Sequence, residues 1–144
     1  MSADIEPPRI YATRRYRDTR SMIDWLEQAF GFQRHFIVDG EDGGVAHAQI
    51  AFGSAMMMMG DHRDDDFSKK VGAPGGDAGG QSVYIAVDDA DALYERAKAA
   101  GAAIEREIAD TPYGSREFGC RDPEGQLWNF GTYWPRAHEA PEHP

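Results

Sequence analysis

Histidine, carboxylate, thiol and thioether side chains of this sequence could do chemistry, and their spacing narrows what each can do. Of five histidines, His138 and His143 fall in the last stretch of the chain. His62 sits in the run Asp61-His62-Arg63-Asp64-Asp65-Asp66, which could gather a cation. A flexible loop loses entropy when it binds metal, so a hydrated charge run is the plainer reading. His35 and His47 fall in strand-like runs, and alternation puts Val45, His47 and Gln49 on one face. Cys120 is the lone cysteine, which rules out an internal disulfide and suits a small buried strand residue. Met56-Met57-Met58-Met59 reads as a strand with thioethers on both sides. There is no G-x-G-x-x-G, P-loop, G-x-S-x-G, H-E-x-x-H or C-x-x-C.

The elements that must position these residues come in two copies of one pattern. Residues 10–59 read as a short strand ending at Asp18, an amphipathic helix stopped by Gly31, and three strand-like runs. Residues 82–134 repeat the plan, with Asp88-Asp89 opening a helix stopped by Gly101. Asp18 to Gly31 is 13 residues and Asp89 to Gly101 is 12, so the helices match to within one position. In the first helix Met22, Ile23, Leu26, Ala29 and Phe30 form one apolar stripe. Asp122-Pro123-Glu124-Gly125 is a tight-turn signal. The expected fold is α+β: two tandem βαβββ modules pairing into a cupped mixed sheet, helices outside. The boundaries are an arm over 1–8, modules over 9–60 and 82–134, a flexible connection over 61–81 serving as linker or lid, and a disordered tail over 135–144. Together they make one domain.

Net charge is −10, with 25 acidic against 15 basic residues, which argues against nucleic acid or an anionic membrane as partner. It leaves room for a cationic ligand steered by the field of the molecule. No apolar run reaches the ~18 residues of a membrane span. Met1-Ser2-Ala3-Asp4 lacks a basic, apolar leader pattern, and with one cysteine the expected compartment is the cytoplasm.

Three stretches carry a family resemblance. They are Tyr16-Arg17-Asp18 leading to Ala29-Phe30-Gly31-Phe32, Val87-Asp88-Asp89 leading to Ala100-Gly101-Ala102, and Tyr113-Gly114-Ser115-Arg116 followed by Asp122-Pro123-Glu124-Gly125-Gln126-Leu127-Trp128-Asn129-Phe130. Over residues 9–134 the chain resembles the vicinal oxygen chelate superfamily of glyoxalases, extradiol dioxygenases and bleomycin-resistance proteins. The resemblance implies four metal-ligand positions in the metal-using members, usually His, Gln or Glu. Carried over, they fall on Tyr11, Met59, Ser82 and Asn129. A phenol, a thioether, a hydroxyl and a carboxamide make no hard-cation or zinc site. A count off by one position does not repair the set.

That moves the expectation from catalysis to binding. The expected ligand-binding residues are Tyr11, Thr13, Arg15, His47, Met57, Met59, Ser82, Tyr84, Arg116, Asn129 and Trp134. Trp128 and Phe130 are expected to face the helices as core. Arg116 is expected either to clamp an anion in the cup or to pair with Glu117 or Glu105; Trp134 sits at the rim or at a subunit contact. The function expected is binding or sequestration of a small organic molecule, aromatic or cationic, by a cytoplasmic protein without cofactor. The resemblance implies a homodimer. The rival is a glyoxalase-like metal-dependent lyase, isomerase or dioxygenase with ligands such as His47, Glu117 or Asp61. A metal-free enzyme, with Tyr11 or Arg15 as acid and His47 as base, is a third.

Overall fold

The computed structural model describes residues 5–76 and 79–140. Residues 1–4 of the expected arm, Asp77 and Ala78 of the connection, and 141–144 of the expected tail, with His143, lie outside them. The chain forms two compact units, one up to Pro74 and one from Gly75 on.

In the first unit the elements are β1 (Ala12–Tyr16), α1 (Thr19–Phe30), β2 (Gln33–Asp39), β3 (Val45–Phe52), β4 (Ala55–Asp61) and α2 (Asp66–Val71). The sheet order is β1-β4-β3-β2, with β1 parallel to β4 and the other pairs antiparallel. Helix α1 starts where Asp18 accepts a bond from Ser21 N–H at 3.1 Å. It stops at Gly31, whose φ of 86° is left-handed. Its stripe Met22, Ile23, Leu26, Ala29 and Phe30 is buried against Tyr16, Val45, Ala48, Ile50, Met57 and Met59 of the sheet's helix-facing side.

The second unit holds β5 (Tyr84–Ala86), α3 (Ala90–Ala99), β6 (Ala103–Asp110), β7 (Arg116–Arg121) and β8 (Leu127–Gly131). Its order β5-β8-β7-β6 repeats that of the first, again with the first strand parallel to the last. Asp89 caps α3 through Ala92 N–H at 3.0 Å. Leu93, Tyr94 and Ala97 are buried on the side that takes Phe118, Cys120, Trp128 and Phe130. Trp128 and Phe130 thus face the helix as their alternation predicts. Burial pushes the Cys120 thiol up to about 12, the pKa of an inert core residue. The α+β architecture of two βαβββ modules is the one the repeat predicts.

The connection differs from its expectation. Asp65 accepts from Ser68 N–H at 2.8 Å and caps α2, so part of the acidic run opens a helix. At the end of β4, Asp61 accepts from Thr19 N–H at 3.0 Å and Val45 N–H at 2.9 Å, tying α1 and β3 to the sheet. Burial pushes its pKa up, but those amides and the charge of Arg63 outweigh it, and the carboxyl sits below its usual range. A depressed native pKa contributes stability above the unfolded value and loses it as pH falls through the native one. The urea midpoint is therefore expected to drop as pH falls below about 4. Asp61→Asn should be less stable at neutral pH and lack that component of the acid loss; an equal acid loss in the variant would rule it out.

Candidate functional site

Each sheet has a second face, turned away from its own helix, and the candidate site residues divide between the two faces. In the first unit the register sets Thr13 opposite Met58, Gln49 opposite Met58, and Ala51 opposite Met56. Paired residues point the same way, so this open face carries Thr13, Gln49, Met56 and Met58. Met57 and Met59 lie opposite Ile50 and Ala48 and are 5 % and 3 % exposed in the helix-facing core. The expected pair is therefore corrected: Met56 and Met58 line the open face. Tyr84 pairs with Asn129 as Thr13 pairs with Met58, so the counterpart of Asn129 is Met58 rather than Met59.

His47 is half-buried on the open face, and Val45 is not beside it. Val38 pairs with His47 and Asp39 with Val45, a bulge that turns Val45 into the core. His47 Nε2 donates to Gln49 Oε1 at 3.0 Å, and Gln49 Nε2 donates to His35 Nδ1 at 3.1 Å. Phe36 and Val38, both exposed, lie opposite Gln49 and His47. Arg15 donates to Asp61 O at 2.9 Å and stacks its guanidinium 4.7 Å from the Phe67 ring centre. Tyr11 is half-buried just ahead of β1. A hollow of about 440 Å³ beside α2 is lined by His62, Arg63, Asp64, Ser68, Lys69, Gly72 and Ala73. Its Lys69 and Asp64 side chains stand in solvent, 3.9 Å apart.

On the second sheet Phe118, Cys120, Trp128 and Phe130 take the helix-facing side, so Glu117, Gly119, Asn129 and Gly131 take the open one. Glu117 is 5 % exposed. Its Oε1 accepts from the Tyr113 hydroxyl at 2.9 Å and from Arg106 Nη1 at 3.3 Å. The bond to Glu117, with burial and its negative charge, raises the Tyr113 phenol. Burial, with the Glu117 charge, likewise raises Tyr84. Tyr84 donates to Tyr133 O at 2.7 Å, and the Tyr113 and Tyr133 rings meet edge to face at 5.9 Å. Asn129 Nδ2 donates to Val83 O at 3.2 Å. Ser82 is exposed ahead of β5, and Trp134 is exposed beyond β8.

Arg116 turns the other way. It bonds Asp91 at 3.0 Å and Asp110 at 3.3 Å, while Glu105 pairs with Arg121 and Glu117 with Arg106. Neither the anion clamp nor either expected pairing forms. Glu117 with Tyr113 and Arg106 bonded to it is a cluster that the expected ligand-binding set does not contain. Alternation against Phe118 and Cys120 marks Glu117 as open-faced; nothing local shows that Tyr113 and Arg106 converge on it.

The metal-ligand positions implied by the resemblance do not fit a metal. In the first unit they are Tyr11, ahead of β1, and Met58 on the open face; in the second Ser82, ahead of β5, and Asn129. Among the described residues no three His, Cys, Asp or Glu side chains come together in a group able to hold an ion. Among them, too, no helix is long and apolar enough to cross a membrane.

Residues 10–130 match the model of the Glyoxalase/Bleomycin resistance protein/Dioxygenase superfamily. An uncharacterized protein of Mycobacterium bovis is 30% identical over 115 residues, which cover 79% of this chain and 76% of that protein. Among solved structures, TioX from Micromonospora sp. ML1 superposes with a TM-score of 0.67 at 29% identity, covering 86% of this chain and 94% of TioX. A glyoxalase/bleomycin resistance protein from Streptomyces sp. CB03234 has a TM-score of 0.63 at 20% identity, covering 83% of this chain and 96% of that one, a likeness of fold alone.

Proposed function

The chain belongs to the glyoxalase/bleomycin resistance protein/dioxygenase superfamily, and from that premise we propose that it binds and sequesters a small organic molecule, aromatic or cationic, without a divalent metal. The observation that carries this reading is the donor chemistry where metal-using members keep their ligands. Phenol and thioether on one sheet, hydroxyl and carboxamide on the other, are too soft or too neutral to hold a hard cation. The open faces support it as well. They present thioether, phenol, imidazole and amide groups, which contact a flat organic ligand through large polarisable surface and a few hydrogen bonds. We extend the proposal to a cytoplasmic homodimer: the lone buried thiol suits a reducing compartment, and the family resemblance implies the dimer.

The test pairs elemental analysis with thermal shift on protein purified without chelators. Metal content is expected well below one ion per chain, and added Zn²⁺, Ni²⁺ or Fe²⁺ leaves the melting temperature unchanged. A ligand from a screen of amphiphilic and aromatic compounds, held at 100 times its Kd, should stabilise the fold by about 2.7 kcal/mol. One bound ion per chain, with a turnover lost on chelation, would instead make the protein a metal-dependent lyase, isomerase or dioxygenase.

A further inference from the structure

The open face of the second sheet leaves two acceptors without a donor from the described residues, and they point to a ligand. Some of its donors are spent inside the protein. The Tyr113 hydroxyl and Arg106 Nη1 bond Glu117 Oε1, the Tyr84 hydroxyl bonds Tyr133 O, and Asn129 Nδ2 bonds Val83 O. Two of its acceptors are not. Glu117 Oε2 accepts no hydrogen bond from the described residues, although the Glu117 side chain is only 6 % exposed. Asn129 Oδ1 is likewise without a donor and hangs over Gly119, 3.0 Å from where a Cβ would stand. Glu117 lies opposite Gly131 and Asn129 opposite Gly119, so the two residues are diagonal neighbours on one face, their backbones roughly 7–8 Å apart by strand geometry. A carboxylate oxygen that water reaches and no described residue donates to is open to an incoming N–H group, and a charge-assisted bond there is stronger than a neutral one.

The walls fit the same kind of group. Tyr84, 41% exposed, and Glu117 flank Gly131 so closely that a Cβ there would lie 2.5 Å from the Tyr84 hydroxyl and 2.6 Å from Glu117 Cγ. Tyr113, 43% exposed, stacks edge to face on Tyr133 over the same carboxylate. A carboxylate flanked by phenol rings suits a cation attached to an apolar body. The chain's net charge of −10 draws one in.

Resting on the small-molecule reading above, we infer that this face binds a ligand bearing a basic nitrogen, an ammonium or amidinium group, on an aromatic or aliphatic body. Glu117 Oε2 and Asn129 Oδ1 accept its N–H groups, and Tyr84 and Tyr113 flank it. Arg106, half-exposed and bonded to the other oxygen of Glu117, competes for the same charge and tempers affinity.

The experiment is an NMR titration of the full chain with three probes of one shape: benzamidine, benzamide and benzoate. Benzamidine is expected to bind tightest and benzoate weakest, with amide shifts centred on Glu117, Gly119, Asn129 and Gly131. Glu117→Gln, which keeps the side-chain volume and an acceptor for Tyr113, should weaken benzamidine about tenfold at unchanged melting temperature. Arg106→Gln should strengthen it severalfold, an effect that a merely structural role for the Glu117–Arg106 pair does not produce. Benzoate binding this face as well as benzamidine, or benzamidine affinity indifferent to Glu117→Gln, overturns the inference. If the thermal-shift screen yields a ligand while benzamidine moves nothing on β7 and β8, this inference alone falls; if neither experiment finds a ligand, the sequestration reading falls with it.

Discussion

Asp122→Ala is expected to lower the unfolding free energy by about 3–5 kcal/mol, the largest loss from any single carboxylate of the chain. Asp122 is buried in the turn between β7 and β8 and accepts bonds at both of its oxygens. Oδ2 takes the indole N–H of Trp128 at 2.9 Å, and Oδ1 takes the backbone N–H groups of Glu124 and Gln126 at 3.0 Å each. Trp128 is wholly buried and stacks against Phe130, so removing the carboxylate takes an acceptor from a donor that water cannot reach. The turn loosens at the same time, because the two backbone donors lose their acceptor, although Gly125 N–H to Asp122 O at 2.8 Å and Asp122 N–H to Gln126 O at 2.9 Å persist. Urea denaturation measures the loss, and a double-mutant cycle apportions it. In a Trp128→Phe background, with the indole donor gone, the same substitution should cost about 1–3 kcal/mol less. Equal costs in both backgrounds would mean that Asp122 acts through the turn alone.

The turn also shows what kind of information was legible in the chain. Features written within a few consecutive residues were readable: the capping aspartates Asp18 and Asp89, the left-handed Gly31, the Asp-Pro-Glu-Gly turn, and the inward alternation of Trp128 and Phe130. Each depends on local backbone geometry or on a contrast between neighbouring side chains. Four consecutive methionines offer no such contrast, so their parity had to come from the partner strands; Ala48 and Ile50 decide it for Met59 and Met57. A bulge has no local signature here either, and one extra residue at Ala46 carried Val45 into the core and away from His47. Helix α2 was hidden because an acidic run suggests solvation, whereas one of its members, Asp65, is spent on a cap.

The open face of the second sheet lay further out of reach. Glu117, Tyr113 and Arg106 come from a strand, a loop and a neighbouring strand, and only tertiary pairing sets them around one oxygen. Alternation alone could mark Glu117 as open-faced, but not as enclosed. Arg116, the residue next to it, was expected to clamp an anion or to pair with Glu117 or Glu105, and is instead bonded to Asp91 and Asp110. An adjacent position on a strand is an opposite face, and a charged residue's role turns on that parity.

Gly131→Ala is the substitution expected to disturb that face most. The position has ordinary backbone angles, so the effect is steric rather than conformational. A methyl group there meets the Tyr84 hydroxyl at 2.5 Å, Glu117 Cγ at 2.6 Å and Tyr84 Cε1 at 2.9 Å, all inside van der Waals contact. Tyr84 is part-exposed and can swing outward, at the expense of its bond to Tyr133 O; Glu117 is enclosed and cannot move without losing Tyr113 or Arg106. The expected cost is about 1–3 kcal/mol of stability. Tyr84→Ala in the same chain should recover only part of it, since the contact with Glu117 Cγ persists. Chemical denaturation of the single and double variants measures both. Full recovery by Tyr84→Ala would mean that the carboxylate can retreat, and then the tight cradle around Glu117 is not what fixes its free oxygen toward the open face.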